Sequence, residues 1–240
     1  MEYILKQQRL HYLDVTRGIA IICMVIYHFC FDLDNFNYLE LNMDTDLFWR
    51  GFRALIISLF LTTMGMSLAL THAQGICWSC LKKRTLLLGI SAILVSIGSY
   101  LQFPESWIYF GILHFILFAS WLGLLFLGKP WLSLITAIII LIGYFLDWLD
   151  TQALFSLLQQ PLQLPPYYTE DLVTVFPWFA WVLIGIFLVD KGWYVYPQLQ
   201  ANLISKKVGF LGRHSLLIYM IHQPILFGIV MLFSSFPSLV

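Results

Sequence analysis

Apolar residues fall in seven long runs along this chain, at about 13–33, 48–71, 84–102, 108–127, 131–149, 172–190 and 209–234, with short polar connectors between them. A helix needs about 20 residues to cross a hydrocarbon core about 30 Å thick, and each run comes near that length. The period-two alternation of a membrane barrel is absent. Lipid offers no partners to backbone N–H and C=O groups, so each crossing segment satisfies its own by forming a helix. The pattern predicts an all-α bundle of about seven transmembrane helices, in a single domain covering residues 1–240. The run from Val15 to Leu33 is read as the first membrane helix, because no small-residue cleavage motif follows it. No internal repeat is apparent.

Composition strengthens this reading. Of 240 residues, 60% are hydrophobic and 11% charged, and the mean hydropathy is +0.82. Soluble domains carry roughly 25% charged residues. So few charges exclude a water-soluble globule of this size. The formal net charge is zero, and no nucleic-acid partner is expected.

The placement of the charges predicts orientation. Lys6 and Arg9 precede the first run, and the first connector holds Asp34, Glu40, Asp44 and Asp46. Basic and acidic connectors then alternate: Lys82, Lys83 and Arg84; Glu105; Lys129; Asp150, Glu170 and Asp171; and Lys191, Lys206 and Lys207. Basic connectors stay in the cytoplasm, which places the N-terminus inside and the C-terminus outside. The fifth connector, from Gln159 through Pro165, Pro166, Tyr167 and Tyr168, reads as an interfacial lid.

Ionisable groups inside membrane helices cost roughly 2.5–3.5 kcal/mol each on insertion scales, so they are functional candidates. The first run carries Asp14, Arg17, His28 and Asp32. At about 100° per residue, all four fall within about 60° of one another on one face. Arg17 and His28 stand about 16–17 Å apart along the axis, near the inner surface and in the outer half. The alternative is that Arg17 snorkels to the interface while His28 bonds a neighbouring helix. Asp32 is one turn beyond His28, within reach of an imidazole whose tautomer and basicity it would set. That pairing suits a general base; the alternative is a carboxylate facing water.

Further candidates lie elsewhere. Arg50 and Arg53 share one face at the outer end of the second run and suit an anionic partner or headgroups. His114 is in the fourth run. Arg213 stands at the inner end of the last run, with Tyr219 and His222 three residues apart beyond it. Pro224 removes a backbone hydrogen bond there. Pro177 and Trp178 read as packing or belt residues. Cys77 and Cys80 form a C-x-x-C that reads as a chance pair in a surface loop. Zinc would need two more ligands, and only His72 is near; no metal is expected.

The segment Arg9-x-x-x-Leu13-Asp14-x-x-Arg17-Gly18-Ile19-Ala20, continuing to Met24-Val25-Ile26-Tyr27-His28-Phe29, resembles the start of the heparan-alpha-glucosaminide N-acetyltransferase catalytic-domain family. Pro177-Trp178-Phe179 with Gly185-Ile186-Phe187 is similar to its later helices. So is Gly212-Arg213-His214-Ser215-Leu216-x-Ile218-Tyr219-x-x-His222-Gln223-Pro224. The Arg17-to-His28 spacing resembles the Arg-x10-His pattern of membrane acyltransferases that acetylate bacterial surface sugars, where both residues are needed.

The resemblance implies transfer of an acetyl group from cytoplasmic acetyl-CoA, the donor and no bound cofactor, to an acceptor at the outer face of the cell membrane. A cell-surface glycan or small molecule offering a sugar amine or hydroxyl fits that role. His28, Asp32, His114 and His222 are the catalytic candidates; Arg17, Arg50, Arg53, Arg213 and Tyr219 are the binding candidates. The stretch from Asn35 to Leu47 has no histidine, where the lysosomal member has a catalytic one, so a heparan acceptor does not carry over. A transporter or flippase of a small polar substrate is the alternative that the same polar stripe allows.

Overall fold

A computed structural model describes residues 2–149, 152–161, 164, 172–193 and 202–234. The proposed lid residues Pro165, Pro166, Tyr167 and Tyr168, with Asp150, Glu170 and Asp171, lie outside them. Most of the described residues are helical, and none of them forms a β-strand. The helices are α1 (Glu2–Asn35), α2 (Leu47–Thr71), α3 (Trp78–Gln102), α4 (Ile112–Leu122), α5 (Pro130–Phe145), α6 (Gln152–Gln159), α7 (Phe179–Asp190), α8 (Leu203–Arg213) and α9 (Ser215–Ser234). A 3₁₀ turn, Gly123–Phe126, follows α4.

Four helical segments are long and apolar enough to cross a membrane: His11–Asn35, Leu47–Thr71, Trp78–Gln102 and Ser215–Phe233. The runs at 108–127, 131–149 and 172–190 yield shorter apolar helices, Ile112–Phe126, Pro130–Phe145 and Phe179–Asp190. Local signals trim them. Gly111 is the N-cap of α4, and its N–H donates to His114 Nδ1 at 3.3 Å. A left-handed Asp147, φ 56°, stands in the turn after α5. The last run is interrupted at His214, which separates α8 from α9. Asn202 caps α8 by accepting from Ser205 N at 2.8 Å, as N-cap asparagines do.

The chain divides into two compact units, one combining Met1–Phe60 with Val195–Val240 and the other Leu61–Tyr194. In the second unit α7 is buried nearly all round, through Phe179, Ala180, Val182, Leu183, Gly185, Ile186, Phe187 and Val189. A helix apolar on every side belongs in such a centre. Small residues let its neighbour approach. A Cβ on Gly65 would meet the Val182 carbonyl, and one on Gly185 would meet that of Thr62, both too close to exist. Membrane helices commonly associate through such small residues. The outward face of α3 (Leu86, Ile90, Ile93, Ile97 and Leu101) is exposed and wholly apolar, as a lipid-facing surface must be.

At the turn between α2 and α3, His72 is buried and its Nδ1 accepts the Cys77 N–H at 2.9 Å. Burial, with the nearby Arg84 charge, holds its pKa below the ordinary 6.5. A neutral ring is therefore what the fold accommodates. This contribution to stability is complete above pH 6.5 and is lost as pH falls through the lowered folded-state value. Melting temperature in detergent should accordingly drop between pH 7.5 and 5, and by less in His72→Gln. Equal slopes for the two proteins would refute this role.

Candidate functional site

The first unit holds the polar stripe. On α1, Ile19, Ile22, Ile26 and Phe29 are exposed and recur at three- and four-residue intervals, marking its lipid face. Asp14, Arg17, His28 and Asp32 project from the opposite side of the helix; Asp14 and Asp32 are buried, and Arg17 and His28 are partly buried. Ile21 and Met24 of that side pack with Ile56 of α2, against Tyr27, Phe52, Ile218 and Tyr219. Sequence and structure agree on which side of α1 faces protein.

The two ends of the stripe do different things. Toward the chain's start, Asp14 is shared by two guanidiniums: Arg17 Nη1 lies 3.4 Å from Oδ1 and Arg213 Nη1 3.6 Å from Oδ2. Helix α8 reaches this point because Gly212 has no side chain. A Cβ there would collide with the Asp14 carbonyl and come 2.8 Å from Gly18 N. His11 Nε2 and Ser205 Oγ, 3.1 Å apart, join the same two helices.

Further along, α9 runs parallel to α1, pairing His222 with His28, Gln223 with Asp32 and Phe227 with Phe36. The His28 and His222 rings meet edge-on, their centroids 4.9 Å apart. His222 Nδ1 is 2.7 Å from the Tyr219 carbonyl oxygen, to which it donates, leaving the lone pair on Nε2. The expected Asp32–His28 contact is not made. Asp32 Oδ1 instead accepts from Gln223 Nε2 at 2.7 Å. Asp32 is 1% exposed. Its Oδ2, like Gln223 Oε1, is buried with no hydrogen-bond partner among the described residues. Buried polar atoms rarely stay unpaired, and those that do call for an explanation.

The remaining candidates are placed as follows. Tyr219 packs against His222 at 5.6 Å between centroids. Arg53 is exposed on α2, near enough for its charge to act on His28. Arg50 is exposed one turn earlier. His114 belongs to the other unit, where its Nδ1 accepts from Gly111 N and its Nε2 faces Ser96 Oγ at 3.2 Å. Those bonds brace the start of α4. Cys77 and Cys80 are joined in a disulfide. Among the described residues no group of three or more His, Cys, Asp or Glu side chains is placed to hold a metal.

Gln223 is the residue that sequence reasoning missed. Its signal was its place next to His222 on a helix with few other polar groups. Replacing it with leucine should strand Asp32 entirely, at a cost of about 1–3 kcal/mol. Asp32→Leu combined with Gln223→Leu should recover most of that loss. Thermal melts of the three variants check this; a double variant no more stable than Gln223→Leu would argue against it.

Long apolar helices, two of which carry a cluster of buried polar side chains, define a multi-pass membrane protein. The family model described as heparan-alpha-glucosaminide N-acetyltransferase, catalytic, matches residues 9–224, and the chain belongs to that family. Membership implies a membrane-embedded transferase of the acetyltransferase type. Neither a curated protein nor a solved structure matches the chain.

Proposed function

We propose that this protein moves an acetyl group from cytoplasmic acetyl-CoA to an amine or hydroxyl presented at the outer face of the cell membrane. The observation that carries the reading is the pair of unpartnered buried acceptors, Asp32 Oδ2 and Gln223 Oε1, on the same two helices as the His28–His222 ring contact. Two such acceptors on hydrogen-bonded side chains suit a ligand that donates hydrogen bonds, as an amine or a sugar hydroxyl does.

The donor enters from the Asp14 end. Arg17 and Arg213 share one carboxylate there, so the three groups carry a net positive charge. Exposed Lys206 and Lys207 of α8 add to it. Such a cluster suits the phosphates of a coenzyme. The thin pantetheine arm brings the thioester along the stripe toward His28. Asp32 and Gln223 position the acceptor, and His28 removes its proton as it attacks the carbonyl carbon. The C–S bond breaks, and the CoA thiolate leaves and takes up the proton that His28 holds. Tyr219 packs against His222 at the same place, and its hydroxyl steadies the developing oxyanion.

Seven crossings, with the N-terminus inside and the C-terminus outside, fit this arrangement. The alternation of basic and acidic connectors supports it, as does the parallel course of α1 and α9. The test is incubation of the purified protein in vesicles with acetyl-CoA labelled in the acetyl group, and with glucosamine and N-acetylmannosamine as acceptors. Labelled product, dependent on protein, is the expected result. Failure to bind acetyl-CoA at all would refute the reading and favour a transporter of small polar molecules.

A further inference from the structure

The turn that leads into α3 carries chemistry that acetyl transfer does not use. Cys77 and Cys80 form a disulfide across two residues. So short a loop removes little entropy from the unfolded chain, so the bond does little as a staple. Cys77 is the N-cap of α3, and its Sγ accepts from Cys80 N at 3.4 Å. Ser79 Oγ lies at the same distance from that sulfur. His72 holds the Cys77 backbone from the other side through Nδ1. Cys80 is exposed, whereas Cys77 is half-buried. One sulfur is thus open to attack, and the other rests where a thiolate is stabilised by helix-start N–H groups. Exposed Lys82 and Lys83 follow within a turn and would draw an anionic reagent.

We infer that Cys77 and Cys80 are a reversible dithiol–disulfide site that exchanges electrons with a small anionic thiol of the glutathione class. The thiolate attacks Cys80 Sγ, the sulfur–sulfur bond breaks, and Cys77 leaves as a thiolate at the helix start. A mixed disulfide on Cys80 results. A second thiolate attacks the small-molecule sulfur of that bond and expels the Cys80 thiolate. Both cysteines then take up protons. Two reagent thiols become one disulfide, and two electrons and two protons pass to the protein. On the orientation proposed above this turn faces the cytoplasm. Disulfides in that compartment are characteristically transient and redox-sensing. The exchange itself does not depend on the acetyltransferase reading.

The experiment equilibrates the full-length protein, in detergent at pH 7, in buffers with graded ratios of reduced to oxidised glutathione. A thiol-reactive polyethylene glycol then counts free thiols. Cys77→Ser combined with Cys80→Ser sets the baseline contributed by Cys23 and Cys30. The expected result is that two thiols appear together across the series and disappear on return to oxidised glutathione. A bond that stays closed in a hundredfold excess of reduced glutathione would overturn the inference in favour of a fixed structural link. A pair that stays reduced under fully oxidised glutathione would overturn it in favour of two inert thiols.

Discussion

His28→Ala should lose most acetyl transfer while keeping its fold. General-base assistance typically contributes about 10²- to 10⁴-fold, and a fall of that size is expected in turnover measured with labelled acetyl-CoA. The side chain makes ring contacts with Tyr27 and His222, so its removal trims packing without leaving a buried charge behind. The thermal midpoint should therefore shift far less than the rate. Binding of acetyl-CoA should persist, because the phosphate-facing groups stand at the other end of the stripe. A variant with wild-type turnover would remove His28 from the chemistry. A variant that merely fails to fold would show up in the melt, and His28→Gln, which keeps the bulk and the polarity, would then be the decisive comparison.

Gly212→Ala should have the largest effect on stability. The added methyl has nowhere to go. It points at the Asp14 carbonyl and the backbone of Gly18, not at the movable tip of a side chain. Overpacking commonly costs about 1–3 kcal/mol and occasionally more, and a backbone-against-backbone collision belongs at the upper end. Forcing α8 away would also pull Arg213 from Asp14. Gly228 on α9 provides the contrast, with nothing within 4 Å of a Cβ built there. Gly228→Ala should be neutral or should gain up to about 1 kcal/mol from helix propensity. Yield of monodisperse detergent-solubilised protein and its melting temperature distinguish the two. Equal behaviour of both alanine variants would show that the close crossing of α1 and α8 is dispensable.

Much of this was legible in the chain because lipid simplifies the code. Apolar runs with no period of two leave only helices, and helices are what form. The spacing of Asp14, Arg17, His28 and Asp32 placed them on one side of α1, and the exposed Ile19, Ile22, Ile26 and Phe29 occupy the other. Run length was a poorer guide. A hydrophobic window does not register that Gly111 starts α4, that Asp147 turns the chain or that His214 separates α8 from α9. The partner of Asp32 was hidden for another reason. Helical spacing reveals only neighbours on the same helix, so it suggested His28, while the contact made is with Gln223, far along the sequence. Likewise, the C-x-x-C spacing alone did not separate a chance pair from the Cys77–Cys80 bond.

The Asp32–Gln223 hydrogen bond joins groups separated by 191 positions. Ribosomes add about 5–20 residues per second, so the first helix waits roughly 10–40 s in the bilayer before its carboxyl group can meet the carboxamide. For that interval the nascent protein carries an acid with no mate in a solvent that penalises charge. The insertion machinery, or a proton, must shelter it until the last helix arrives.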